Sequence, residues 1–382
     1  MNRKISILFV IDGVSFGGGE RVFAQIMNGL DPDKYNLFLA SCPNTLFYEA
    51  VANTKVRLIP ADLTKSANLS QIIKLAGIIK RNRIDIVHSQ GVRADFFARM
   101  ASWRAGNCRV ISTIAAPVDK WDIHPLLKKI YFCLDHFSER FVDRVITVSQ
   151  ELENLLVTRH GFNRNKMIRI PNGIELDRYR PGEADSADRR ALGISPGKPV
   201  IGSIGRLVRE KGHLDLIDAH KKVQETFPGA QLVIAGEGPM KEKLLKRVNA
   251  LKLARSVIFQ GFVKDIRPLM ASIDVFAFPS LSEGFPMITL EAMAMAKPIV
   301  ASNLPGISEQ IDHGKTGILV PPGDSHAIAG AVVELLVNRE LAKKLGLHAR
   351  KKAEKAFSVK RMITKTEEVY NAFWNKPIRG AI

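Results

Sequence analysis

Two glutamates, Glu283 and Glu291, lie in the stretch SLSEGFPMITLEAMAMAKP, residues 280–298. Between them stand Gly284, Phe285 and Pro286, then an apolar run. Such a pair can share a proton, ligate a metal, or grip one ligand at two points. Acid–base hydrolysis of a glycosidic bond needs both carboxyl groups flanking that bond at a fixed separation, which this spacing does not secure. A metal site wants a cluster of oxygen or nitrogen ligands. The nearest candidate, Asp31-Pro32-Asp33, ends a helical stretch and reads as a turn. Holding a ligand is the reading left for the pair.

Three other loops carry suitable chemistry. In DGVSFGGGER, Gly17, Gly18 and Gly19 lead from an apolar strand into a helix near Glu20. Glycines let backbone N–H groups approach an anion closely, and a helix start favours negative charge. The spacing is neither GxGxxG nor a P-loop, and a tight strand-to-helix turn explains it nearly as well. In GSIGRLVREKGHLDLI, Arg206 and Lys211 share one short strand-terminal loop. A guanidinium and an ammonium there suit a diphosphate; the plain alternative is a solvated turn. In VIAGEGPMKEKL, Gly236 and Gly238 end a strand and Pro239 opens a helix. Pro at a first helical position is a structural signal, so a backbone role beside a ligand is secondary.

The pair itself is placed by the same logic. The strand VFAFPS ends at Ser280, a loop runs to Phe285, and Pro286 opens a helix reaching about Ala296. Glu283 then precedes the helix start, and Glu291 lies roughly one and a half turns inside. The N–H groups of Met287 to Thr289 are free by construction and can take phosphate oxygens. The plain alternatives are a capping carboxylate for Glu283 and a charged surface position on an amphipathic helix for Glu291.

These loops need a scaffold. The chain has 382 residues, 46% apolar and 25% charged, which suits two globular domains. Short β-branched runs (ISILFVI, YNLFLAS, KVRLI, IDIVHS, RVISTI, RVITVS, MIRI) alternate with helical stretches near 20–30, 69–81, 93–104 and 124–141. Residues 171–199 break the pattern with Pro, Gly and charge. Alternation then restarts with VIGSIG, AQLVIAG, SVIFQG, DVFAFPS, PIVAS and GILVPPGD. The expectation is two α/β domains with parallel sheets, 1–172 and 199–358, joined by a connection over 173–198. Ligands of such sheets bind beyond the carboxyl ends of the strands, and two sheets facing each other would make a cleft. The tail from Asp324 reads as helical.

Three cysteines, Cys42, Cys108 and Cys133, form neither a metal spacing nor a disulfide framework, which fits a reducing compartment. The start MNRKISILFVIDG mimics a signal peptide, yet its apolar run ends at Asp12 before a Gly-rich turn, so a buried first strand is expected. No apolar run approaches the roughly 18 residues of a membrane helix. The net charge is +18, spread as +9 over 1–172 and +9 over the rest. Without a basic tail or an aromatic-interleaved ribbon, nucleic acid is disfavoured as a partner.

Taken together the motifs resemble a known family. Glu283-Gly-Phe-Pro286…Glu291 resembles the E-x7-E signature of retaining glycosyltransferases of family 4. Gly17–Glu20, Gly205–Gly212 and GEGP at 236–239 match other family blocks in the same order, so the resemblance covers almost the whole chain. It implies the GT-B fold, two Rossmann-like domains around a central cleft, with a last helix within 359–382 returning to the first domain. It implies that Arg206 and Lys211 bind and neutralise the donor diphosphate. Gly18 and Gly19 would approach the phosphates or the sugar. Glu283 would contact sugar hydroxyls, Glu291 the ribose, and the segment Gly236, Gly238, Gly284, Phe285, Pro286 and Met287 would line the donor site. It implies no metal and no cofactor, a UDP-sugar or GDP-sugar donor, and a glycan or lipid-linked acceptor in cell-envelope polysaccharide or lipopolysaccharide assembly.

One position departs. Family members often carry a His after the fifth strand, where this chain has Ala115 in VISTIAAP; donor identity is therefore open. His88, in IVHSQG, matches another family position, with an acceptor-side role and a buried or capping role both open. The stretch 124–142 mixes Lys128, Lys129 and Arg140 with large apolar residues. Core packing explains it most simply, while contact with anionic lipid stays as an alternative. The setting implied is cytoplasmic, with peripheral contact at the inner membrane face. Two rival functions stand: a nucleotide-sugar 2-epimerase of the same fold, for which no convincing acid–base set is present, and a nucleotide-sugar-binding protein without turnover.

Overall fold

The computed structural model describes residues 3–13, 16–52, 55–64, 68–115, 124–181 and 189–374. The chain divides into two compact units, one of residues 1–173 with 359–382 and one of residues 174–358. The first unit runs β1 (Ile5–Ile11), α1 (Gly18–Gly29), β2 (Tyr35–Ser41), α2 (Thr45–Val51), β3 (Arg57–Pro60), α3 (Ser70–Arg81) and β4 (Ile86–Gln90). It continues with α4 (Val92–Ala105), β5 (Arg109–Ile114), α5 (Pro125–Glu139), β6 (Arg144–Thr147), α6 (Gln150–His160) and β7 (Met167–Arg169). The second holds β8 (Val200–Ile204), α7 (His213–Thr226), β9 (Gln231–Ala235), α8 (Lys241–Ala250), β10 (Val257–Gly261), α9 (Arg267–Ser272) and β11 (Val275–Phe278). Then come α10 (Met287–Ala294), β12 (Ile299–Ser302), α11 (Pro305–Ser308), β13 (Ile318–Val320), α12 (Ser325–Val337) and α13 (Arg339–Ala356). The helix α14 (Val359–Trp374) returns to the first unit.

Both sheets are parallel. The first has the order β3-β2-β1-β4-β5-β6-β7 and the second β10-β9-β8-β11-β12-β13. β1 is buried along its whole length, as is β8. Such strands carry no polar face because helices cover both sides of a parallel sheet. In each sheet the winding reverses beside its first strand, between β1 and β4 and between β8 and β11. Loops leaving the carboxyl ends there diverge and open a crevice.

One boundary differs from the sequence reading. The Pro- and Gly-rich stretch 173–198 is not a free connection. Its described residues from Ile174 onward pack with the second unit, where Ile174 N–H donates to Phe357 O at 2.8 Å and Tyr179 is buried. Turn-forming composition marked irregular backbone, not absence of packing. The last helix is described as far as Trp374; residues 375–382 of the expected tail lie outside the described residues, as do Val14 and Ser15 of the first glycine loop. Within the first unit α14 contributes Tyr370, which is fully buried, and Ile363, which lies against Gly29 of α1.

Candidate active site

The loops after β8, β9 and β11 are knitted at one edge of the second sheet. Gly205 N–H donates to Ala235 O at 2.9 Å, Leu207 N–H to Glu237 O at 2.8 Å, and Leu281 N–H to Glu210 O at 2.7 Å. Close approach demands glycine here. A Cβ on Gly236 would lie 1.9 Å from Gly205 O, and one on Gly238 2.5 Å from Leu207 O. Those two glycines therefore serve the packing of the loops; any ligand would meet their backbone.

This knitting delivers charge to the winding reversal. A 3-10 turn over Arg209–Lys211 ends at Gly212, and the Lys211 side chain lies along Gly205. Its Nζ reaches Glu283 Oε1 at 2.5 Å, and Ser280 Oγ donates to the same oxygen at 2.7 Å. Lys211 Nζ also sits 5.2 Å from the centre of the Phe278 ring, a favourable place for a cation. Both charged side chains are largely buried, 18% and 11% exposed. Glu283 thus faces Lys211 and does not cap the helix that follows. Arg206 is exposed and has no ion-pair partner among the described residues.

α10 supplies the second half. Pro286 is its N-cap and not its first helical residue. The start is clamped from β-sheet-adjacent α11: Gln310, just past that helix and fully buried, donates through Nε2 to Pro286 O at 3.0 Å and bonds Thr289 Oγ1 through Oε1. Thr289 Oγ1 donates to Pro286 O at 2.8 Å as well. Gly284 O sits so close to Gly306 that a Cβ there would lie 1.8 Å away. Phe285 is buried, edge-on to Phe357 at 5.5 Å. The first N–H groups of α10 are held in one place, and they lack intrahelical acceptors.

Glu291 is 2% exposed, and Tyr179 Oη donates to its Oε1 at 3.0 Å. The surface-position alternative is thereby overturned. α10 is buried on nearly every side, including Met287, so it is not amphipathic. Its far end is fixed by Lys297, whose Nζ donates to Ala271 O at 2.8 Å and Ile273 O at 2.9 Å; burial lowers that amine to about 8. Sequence reasoning missed Tyr179, Ser280 and Gln310. Ser280 stood in the quoted stretch; the other two are joined to the site only by folding.

In the first unit the glycine loop is described from Phe16. Gly18 is the first residue of α1, and Gly17 N–H donates to Glu20 Oε2 at 3.0 Å. One orphan donor is therefore taken by a carboxylate of the chain itself. Gly19 abuts the Gln90 side chain. At the same edge Arg93 pairs with Asp12 at 2.7 Å, and burial raises the Asp12 carboxyl. His88 resolves to the buried one of its two readings. It is fully enclosed, with Nδ1 2.7 Å from Tyr370 Oη and Nε2 2.7 Å from Thr113 Oγ1. Both ring nitrogens are engaged, and burial lowers the imidazole to about 3. His88 is a core residue, not an acceptor-side group. Ala115 directly follows β5 and is half-buried; the next residues, 116–123, lie outside the described residues.

Comparison with known proteins decides the kinship. Residues 16–178 match the model of Glycosyltransferase Family 4, and residues 185–352 match that of Glycosyl transferases group 1. The chain is a family 4, group 1 glycosyltransferase. It is 24% identical over 377 residues to the UDP-Gal:alpha-D-GlcNAc-diphosphoundecaprenol alpha-1,3-galactosyltransferase of Escherichia coli, covering 97% of each chain. It is 29% identical over 321 residues to the putative glycosyltransferase EpsD of Bacillus subtilis, covering 80% of this chain and 81% of the other. Among solved structures, Anabaena Alr3699/HepE in complex with UDP-glucose superposes with a TM-score of 0.86 at 22% identity, covering 96% of this chain and all of the other. The fold is GT-B, and the enzyme is a glycosyltransferase. Among the described residues no group of three or more His, Cys, Asp or Glu is placed to hold a metal, and no helix is long and apolar enough to cross a membrane.

Proposed function

We propose that this glycosyltransferase moves a hexosyl group, with retention at the anomeric carbon, from a UDP-sugar to a lipid-linked glycan acceptor of cell-envelope polysaccharide assembly. The observation that carries the reading is the Lys211–Glu283 pair beside exposed Arg206 and the clamped start of α10. As the bond from the sugar to the diphosphate breaks, negative charge grows on the leaving phosphate oxygens. Arg206, Lys211 and the α10 N–H groups answer it with charge already in place. Glu283 exchanges its lysine for the hydroxyls of the donor sugar, and Ser280 keeps the carboxylate aimed. Glu291, steadied by Tyr179, accepts from the ribose.

UDP is put before GDP because the Escherichia coli relative uses UDP-Gal and the Anabaena protein was solved with UDP-glucose. The lipid-linked acceptor rests on that same relative's substrate; it would set the reaction at the inner face of the cell membrane. Metal independence follows from basic groups doing the work of a cation. The test is nucleotide release from a panel of UDP-, GDP- and ADP-sugars, with and without undecaprenol-diphosphate-linked GlcNAc. Acceptor-dependent UDP release supports the reading. Binding without release would leave a sugar-nucleotide-binding protein, and isomerised nucleotide-sugar without transfer would leave an epimerase.

A further inference from the structure

The second unit has a cavity at the edge of its sheet that the loops of the candidate active site do not reach. It opens beside Pro199, Asp274 and Pro298, the residues just before β8, β11 and β12, and its volume is about 580 Å³. That is the size of a small-ligand site. The wall is of two kinds. Phe227, Leu335, Leu336 and Leu347 form an apolar side, and Leu347 is 46% exposed. Among the described lining residues five are cations, Arg189, Lys198, Lys297, Arg339 and Lys343, and one is an acid, Asp274.

The cations fall into two sets. Helix α9 ends at this edge with free carbonyls, and the inner two cations take them. Arg189 donates to Ser272 O at 2.9 Å and to Lys198 O at 3.2 Å, and it pairs with Asp274 at 3.2 Å. Lys297 holds Ala271 O and Ile273 O. Asp274 also accepts from Val200 N–H at 2.8 Å, so the one acid is engaged inside the fold. The outer set is Lys198, Arg339 and Lys343. All three are exposed, and none of them forms a salt bridge among the described residues. Arg339 is the first residue of α13 and Lys343 stands four residues on, so both lie on one face of that helix. A cation at a helix start is unfavourable by itself, and an anion beside it is favoured. A solvated helix face would account for scattered charges, but these three ring a concavity with leucines at its side. An anion with an apolar body suits both: the cations bind its charge, and the wall takes its body from water. An inorganic anion would leave the leucines unused, and a neutral apolar molecule would leave the cations unused.

We propose that this cavity is a second binding site, for a small organic phosphate, with the phosphate on Lys198, Arg339 and Lys343 and the carbon skeleton against Leu335, Leu336 and Leu347. The inference is independent of the donor and of turnover, so its failure and that of the proposed reaction are read separately. The full chain is titrated by calorimetry with 1-naphthyl phosphate, with 1-naphthol and with inorganic phosphate. Naphthyl phosphate is expected to bind, and the other two to bind at least about tenfold more weakly. Arg339→Glu/Lys343→Glu is expected to weaken naphthyl phosphate about tenfold or more. Leu347→Ser is expected to weaken it about threefold and to leave inorganic phosphate unchanged. Both variants should keep the parent melting temperature, since every changed side chain is exposed. Lys211→Ala should bind the probe like the parent, because Lys211 follows the carboxyl end of β8, at the other edge of the sheet. The proposal is overturned if naphthyl phosphate does not bind, if naphthol or inorganic phosphate binds as tightly, or if the cavity variants bind like the parent. It is overturned in favour of the active-site loops if Lys211→Ala loses the probe and Arg339→Glu/Lys343→Glu keeps it.

Discussion

Lys211 and Glu283 hold each other before any donor arrives, so each variant has two effects. Lys211→Ala removes a positive charge from the leaving group and strands a largely buried carboxylate. We expect kcat for UDP-sugar turnover to fall about 10²- to 10³-fold, with the protein still folded. Glu283→Gln keeps a partner for Ser280 and loses the ion pair; transfer should fall by about 10²-fold while UDP alone binds as before. Unchanged turnover in either variant contradicts the assigned roles. His88 gives a pH signature. Burial puts its native value near 3, against about 6.5 when unfolded, so between those limits the unfolded chain binds more protons. Stability from neutral His88 is complete above about 6.5 and is lost as pH falls toward 3. Asp95, raised by burial to about 7, slopes the other way, so the expectation is for a difference. Wild type minus His88→Gln should rise with pH between roughly 4 and 6, by up to about 1.4 kcal/mol per unit in urea unfolding. A flat difference would contradict the buried neutral ring.

At the level of elements, α10 functions only if its start is fixed. Gln310→Leu removes the bonds to Pro286 and Thr289 and leaves buried polar atoms unmatched, a loss of about 1–3 kcal/mol. We expect KM for the donor to rise more than kcat falls, with weaker UDP binding by calorimetry; an unaltered KM would separate the clamp from the ligand. What was legible follows from locality. Arg206, Lys211 and Glu283 could be read because strand, turn and helix signals are local, and charged loops at strand ends stand out. Gln310 and Tyr179 could not: the first is one polar residue after a short helix, the second lies in a Pro- and Gly-rich stretch 112 residues from Glu291. α10 looked one-sided in sequence, yet α13 packs on its far end so tightly that a Cβ on Gly346 would lie 2.1 Å from Ala296 O. That kind of burial has no local signal. In α5, Leu126, Ile130 and Phe137 are exposed while Asp135 and Ser138 are buried on Arg99 of α4, against the core-packing reading of that stretch. Periodicity gives two faces and does not say which one meets the protein when an arginine from another helix claims the polar side.

On the scale of the whole chain, the first unit is assembled from both ends of the sequence. Tyr370 of α14 is buried against His88 and Tyr35, and Gly173 N–H donates to Met362 Sδ at 3.1 Å. Tyr370→Ala should lower the stability of that unit by about 3–5 kcal/mol. Hydrogen exchange should quicken in β1 and β4 and stay unchanged in β8 and β11; equal loss in both sheets would show the units unfold as one. At the same scale, EDTA should leave transferase activity intact. Inhibition reversed by a divalent cation would refute metal independence.

The return of α14 also sets an order of birth. A ribosome finishes residues 174–358 before it makes Tyr370, so the second unit can close while the first still lacks a wall of its core. Until then His88 has no phenol at Nδ1 and Gly29 faces no Ile363. The part that begins first is completed last, and the nascent chain carries an open apolar slot on α1 and β4 through most of its synthesis.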